Sequence, residues 1–268
     1  MKAAPPSALW KKPTLIATGL LLTCVLGTGL YIFFLKQPPA HAADYPVHGF
    51  DVSHHQKEID WNQIPKQKYQ FVYLKSTEGG DFKDSRFQHN WLTAREQGFL
   101  VGAYHFYRLC RDGAIQAQNF IDTVPYKSDA LPPAIDLEYD STCIQHYSKE
   151  QLLNQIQIMH DRLKNHYGKQ PIFYVSKSFY NLVLAGSFAE VPLWVREYQG
   201  LPDLKDQPHW TFWQHSSQGK IPGIHTSVDL NLFLWFKTRM ESIFRTKWYS
   251  SSEAVRTFHP AIALLRPV

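Results

Sequence analysis

From residue 48 to residue 233 the chain alternates short apolar runs with longer polar stretches. The runs are HGFDVS (48–53), FVYLKS (71–76), LVGAYHFY (100–107), PPAIDLEY (132–139), PIFYVS (171–176), PLWVREY (192–198), TFWQHS (211–216) and VDLNLF (228–233). Rich in Val, Ile, Phe and Tyr, they have the length and composition of strands. Between them lie helix-compatible stretches such as DSRFQHNWLTAREQG and SKEQLLNQIQIMHDRLKNHYG. The second opens at Ser148, backed by Gln151 three residues on, and stops at Gly168. That is a capping box at one end and a glycine stop at the other. Strands alternating with helices predict a parallel sheet, and eight of them predict a closed barrel. Residues 198–211 and 216–228 leave no room for a helix with its loops. The barrel is therefore expected to be regular β/α in its first half and loop-connected in its last strands.

Outside this region the pattern changes. Residues 15–35, LIATGLLLTCVLGTGLYIFFL, contain no charge. That length spans a bilayer. Lys2, Lys11 and Lys12 precede the run, which keeps the N-terminus cytoplasmic and sends the rest across. The expected organisation is a cytoplasmic stub (1–14), a transmembrane signal anchor or uncleaved signal (15–35), a Pro/Ala-rich linker (36–46), the barrel (47–235) and a C-terminal extension of obscure role (236–268). The barrel would then lie on the extracytoplasmic, periplasmic side of the cell membrane, held by a single pass. A small-x-small site at Ala40-His41-Ala42 offers the other fate, secretion after cleavage behind Ala42.

Composition adds three limits. Apolar residues make up 44% of the chain, enough for a large core, and aromatic residues 15%. The net charge of +5 comes mostly from Lys2, Lys11, Lys12 and Lys36, all in the leader, which has no acid. The barrel is close to neutral and lacks the basic footprint of a nucleic-acid binder. It is expected to act as a monomer. Of three cysteines, Cys24 lies in the apolar run, so Cys110 and Cys143 are the exported pair.

The chemistry concentrates at strand ends. Residues two apart on a strand share a face, so Asp136 and Glu138 point the same way with Leu137 opposite. Two such carboxylates are costly together unless one keeps its proton or both have work to do. Asp51, Lys75, Glu78, Tyr104, Tyr174, Trp194, Tyr198, Gln214 and Asp229 also fall near run ends, with His54 and His55 following the first. In a barrel the C-terminal strand ends form the active site. Several acids among aromatic rings suit glycoside hydrolysis, in which a carboxylic acid of raised pKa protonates the leaving oxygen. Glu138 is the candidate acid, with Asp136, Asp51 or Asp229 stabilising or orienting. A set of caps and salt bridges is the competing explanation for the same acids.

The stretches GFDVSHHQKEIDW, FVYLKSTEG, GAYHFY, AIDLEY, LWVREY, FWQHS and VDLN, taken in this order, resemble the lysozymes of glycoside hydrolase family 25. The resemblance covers nearly the whole exported domain. It implies a modified TIM-like (β/α)5(β)3 barrel, here preceded by one N-terminal transmembrane helix. It implies hydrolysis of the β-1,4 bond between N-acetylmuramic acid and N-acetylglucosamine, with peptidoglycan glycan strands as partner and no metal or organic cofactor. By the same resemblance Glu138 is the catalytic acid, Asp51, Asp136 and Asp229 are the other acidic positions, and Tyr104, Tyr174 and Trp194 line the site. Tyr198, Gln214, Lys75, Glu78 and His54 are expected to bind substrate beside them.

The chain departs from the family pattern at Gln56-Lys57 in place of Q-G, at Ser76 in K-A-T-E-G, and at Arg196 in L-W-x-A. None of these removes a carboxylate. Two mechanisms stay open: inversion, with Asp51 or Asp229 activating water, and substrate assistance, with Asp136 orienting the acetamido group. Two other functions compete: a non-catalytic peptidoglycan-binding or scaffold protein, and a metal-dependent polysaccharide deacetylase built on His54-His55 and Asp51. Adjacent strand residues face opposite ways and no second paired motif accompanies them, which counts against the metal. On the barrel Cys110 and Cys143 follow neighbouring strands at similar height, so a disulfide across the groove rim is expected.

Overall fold

The computed structural model describes residues 45–234. The expected transmembrane segment 15–35, the stub before it and the extension 236–268 lie outside the described residues. No helix among the described residues is long and apolar enough to cross a membrane.

All eight runs are strands of one closed sheet. They are β1 (Val47–Val52), β2 (Phe71–Glu78), β4 (Leu100–Phe106), β5 (Ala134–Leu137), β6 (Ile172–Ser176), β7 (Leu193–Arg196), β8 (Phe212–Gly219) and β9 (Val228–Phe233). A two-residue strand, β3 (Phe82–Lys83), folds back on β2 as a hairpin. Pairing is parallel from β1 through β2, β4, β5, β6 and β7 to β8. The last strand, β9, runs antiparallel to both β8 and β1 and closes the ring between them.

Three full helices cover the outside: α1 (Phe87–Glu96), α2 (Gly113–Thr123) and α3 (Lys149–Tyr167). The third has the ends its sequence announces. Ser148 accepts from Gln151 N–H while the Gln151 side chain accepts from Ser148 N–H, and Gly168 takes the left-handed conformation at φ 64°. Together these stop fraying at both ends. The connection after β1, helical in a five-unit scheme, is instead two single 3-10 turns, His54–Gln56 and Trp61–Gln63. Ser53 and Asp60 cap these turns, and Pro65 follows the second. Caps this close together break the 3.6-residue pattern before a helix can grow. After β6 a short helical turn runs into a π-helical turn, Tyr180–Leu184.

Strand alternation divides the core into two. Outward-facing Phe50, Val72, Leu74, Val101, Ile135, Phe173 and Val195 pack against Phe87 and Trp91 of α1, Phe120 of α2, and Ile156, Met159 and Leu163 of α3. Each such side chain contributes about 1.5–3 kcal/mol by leaving water. Inward-facing Phe71, Tyr73, Ile172, Trp194, Phe212 and Phe233 plug the barrel. The Tyr73 and Trp194 ring centroids are 4.9 Å apart, and those of Phe212 and Phe233 also 4.9 Å. The rings fit because two inward positions are glycine. A Cβ on Gly102 would lie 2.3 Å from the Tyr73 ring, and one on Gly49 would lie 2.5 Å from Phe71.

Candidate active site

One step up the same inward face, the rings give way to polar groups. On β1 the series Val47, Gly49 reaches Asp51; on β2, Phe71, Tyr73 reaches Lys75. On β5 Ala134 is followed by Asp136 and, just past the strand, Glu138. On β7 Trp194 is followed by Arg196, on β8 Phe212 by Gln214. Because β9 is antiparallel, it meets the mouth at its start, and Asp229 pairs in register with Asp51. A parallel β9 would have carried Asp229 to the far end.

Asp51 is held by two amides. Asn231 Nδ2 and Gln214 Nε2 donate to its Oδ2 at 2.7 and 3.0 Å. Gln214 Oε1 in turn accepts from the hydroxyls of Tyr174 (2.9 Å) and Tyr198 (2.8 Å), and Asn231 Oδ1 accepts from Trp194 Nε1 (2.8 Å). Each amide oxygen is occupied by a donor, so each amide nitrogen must face the carboxylate. Trp194, expected to meet substrate, is 1% exposed and lies in the floor beneath Asp51. Its indole reaches the groove through Asn231 and through the edge of the Tyr174 ring. Tyr198, Tyr139 and Phe82 are exposed rings beside the mouth, at 42%, 50% and 42%.

Opposite Asp51 stand Asp136 and Glu138. Asp136 is 7% exposed, and its Oδ1 has no hydrogen-bond partner among the described residues. The Glu138 side chain is 26% exposed, and its Oε2 accepts from Arg196 Nη1 at 2.9 Å. Burial, then Glu138, then Asp51 push the Asp136 carboxyl well above the usual carboxylate range. Burial and Asp229 do the same to Asp51, against the pull of its two amide donors. Burial raises Asp229 to about 6, with Arg196 holding it back. These three aspartates line the floor of the mouth, and Glu138 stands beside them in an ion pair with Arg196.

The remaining expected residues form the rim. Lys75 Nζ bonds Glu78 Oε2 at 2.7 Å and lies over the rings of Phe106 and Phe82. Arg108 bridges Glu78 and Asp140. His54 Nδ1 lies 2.8 Å from Asp84 Oδ2, which also takes the His54 backbone N–H. No three or more His, Cys, Asp or Glu side chains among the described residues are arranged to hold a metal ion. Tyr104 lies beside the acids, and its hydroxyl is raised by burial and then by Asp51 and Asp136. Its neighbour His105 points outward and is wholly buried between Thr77 Oγ1 (2.7 Å) and Gln116 Oε1 (3.1 Å). Burial lowers it to about 4, so it is a neutral wall residue. A disulfide joins Cys110 to Cys143, tying the loop after β4 to the loop after β5.

Two residues at the mouth escaped the sequence reasoning. Arg196 shares a face with Trp194, so alternation could have found it. Asp84 carries no such signal, since it sits in the turn between β3 and α1.

The pattern of the glycosyl hydrolases family 25 matches residues 50–224. The uncharacterized protein YegX of Escherichia coli K12 is 37% identical over 215 residues, covering 76% of this chain and 77% of its own length. Lysozyme M1 of Streptomyces globisporus is 33% identical over 198 residues, covering 70% of this chain and 67% of its own. Among solved structures, a family 25 glycosyl hydrolase from Bacillus anthracis superposes with a TM-score of 0.71 at 34% identity, over 77% of this chain and 97% of that one.

Proposed function

The chain belongs to the glycosyl hydrolases of family 25, a lysozyme-type enzyme acting on peptidoglycan, and from that premise we propose how its mouth works. It hydrolyses the β-1,4 bond between N-acetylmuramic acid and N-acetylglucosamine. Glu138 gives its proton to the glycosidic oxygen, and Asp136 orients the acetamido group of the sugar that supplies the anomeric carbon. The acetamido oxygen attacks that carbon as the leaving oxygen departs. Water then opens the cyclic intermediate and returns a proton to Glu138.

One observation carries the division of labour. Asp136 Oδ1 is buried and without a partner among the described residues, next to the half-exposed Glu138. An unmet acceptor at the foot of a groove is costly unless a ligand donor fills it, and an acetamido N–H is such a donor. Glu138 stands higher, where a bridging oxygen can reach it. Glu138→Gln and Asp136→Asn should each lower lysis of purified peptidoglycan by about 10²-fold or more with melting temperature retained. Retained anomeric configuration in the first product, read by NMR, is the expected outcome. An inverted first product would rule out acetamido participation and assign water activation to Asp51 or Asp229.

The barrel is further proposed to work on the extracytoplasmic side of the cell membrane, as a monomer anchored by residues 15–35. The uncharged run behind three lysines supports this. So does the Cys110–Cys143 bond, of a kind that persists in oxidising compartments. Protease added to spheroplasts should remove the barrel, and carbonate washing should leave it with the membrane.

A further inference from the structure

Among the described residues Arg196 is the one guanidinium bonded to the candidate acid. It sits on the inward face of β7, one alternation above Trp194, with its side chain 33% exposed. Its Nη1 donates to Glu138 Oε2 at 2.9 Å. Its charge also acts on Asp136 of β5 and Asp229 of β9. The other groups that face this cluster are Asp51 of β1, Lys75 of β2, Tyr104 of β4, Tyr174 of β6 and Tyr198 just beyond β7. Of these only Lys75 is cationic, and it is taken up by Glu78.

This geometry sets a conflict. A carboxyl oxygen that accepts from a guanidinium is not the one that carries a proton to be given away. An arginine clamped on a carboxylate stabilises its charged form. General-acid work by Glu138 therefore falls to Oε1, against the pull of the guanidinium on Oε2.

We propose that Arg196 is a positioning residue for Glu138. In the free enzyme it holds the carboxylate over the groove by Oε2 and disfavours its protonation, leaving Oε1 to take up the proton that Glu138 passes to the glycosidic oxygen. The guanidinium also acts on Asp136 and Asp229, which share its charge. Arg196 thereby sets the pH range in which the enzyme binds substrate in its active form. This rests on Glu138 being the acid.

The test is the pH profile of kcat/KM for peptidoglycan hydrolysis, measured on the wild-type chain and on Arg196→Ala, Arg196→Gln and Arg196→Lys. Removing the cation lets the acid keep its proton to higher pH. The alkaline limb should therefore move up by about 1 pH unit or more in the Ala and Gln variants. Arg196→Lys should return the limb towards the wild-type position with a reduced kcat, since an ammonium is a point charge without the planar fork. Arg196→Gln keeps polarity and much of the length, so a melting curve on it separates charge from folding. Limbs that stay in place in both neutral variants, while Glu138→Gln is inactive, would overturn the role of Arg196 alone. Lysis by Glu138→Gln at close to the wild-type rate would instead overturn the acid assignment and this proposal with it.

Discussion

The floor of the barrel and its mouth are built from the same strands and the same inward face, yet they answer opposite demands. In the floor Phe71, Tyr73, Trp194 and Phe212 exclude water and fill space. One alternation higher, Lys75, Arg196 and Gln214 stand on three of those same strands, with Asp51, Asp136 and Asp229 beside them. The floor shapes the mouth by desolvation: burial is the first cause of the rise in all three aspartates, ahead of any neighbouring charge. Stability is concentrated in one layer, and the layer above it holds carboxyl groups that a protein built only for stability would avoid.

Substitutions in the two layers should therefore separate activity from stability. Glu138→Gln should lower lysis roughly 10²–10⁴-fold, the usual worth of a general acid, and leave the melting temperature almost unchanged. A comparable loss of stability would break the division. Trp194→Ala should do the reverse in order of cause. It empties a site ringed by Tyr73, Tyr174 and Phe212 and should cost about 3–5 kcal/mol in denaturant unfolding. Activity should fall with it, because Asn231 loses the indole that orients its amide.

The rim lies between these cases. Cys110→Ser with Cys143→Ser opens a link of sequence separation 33, worth up to about 4 kcal/mol on the chain-entropy account. That loss should appear in thermal melting under oxidising conditions and vanish when both proteins are reduced. The smallest effect has the opposite sign. Asp229 is raised from 3.8 to about 6, so the folded state binds its proton more tightly than the unfolded chain does. Its contribution is full below pH 3.8 and is lost as pH rises towards 6. Asp229→Asn should flatten that part of the stability–pH curve. At pH 7 it should stabilise the fold by roughly 1–3 kcal/mol. Destabilisation by this variant at neutral pH would show that Asp229 is a structural partner and not a strained mouth group.

Much of this was open to local reasoning. The two-residue period of PPAIDLEY puts Asp136 and Glu138 on one face whatever surrounds them, and both carboxyls stand at the mouth. Ser148, Gln151 and Gly168 end α3 as their chemistry requires, because caps act within a few residues. The turns after β1 were harder, since Ser53 and Asp60 each favour a helical start and neither reveals how soon it will stop. The depth of Trp194 and the pairing of Glu138 with Arg196 were beyond such reasoning, because neither burial nor a distant partner is periodic.

Periodicity and capping are properties of neighbours in the chain, so composition and spacing alone were enough for eight strands and their inward faces. The partners at the mouth are not neighbours. Glu138 meets Arg196 across 58 residues, and Asp51 meets Gln214 and Asn231 across 163 and 180. Asp229 faces Asp51 only because β9 runs backwards to close the ring. Burial and charge act through space, and only the folded barrel decides which groups share it.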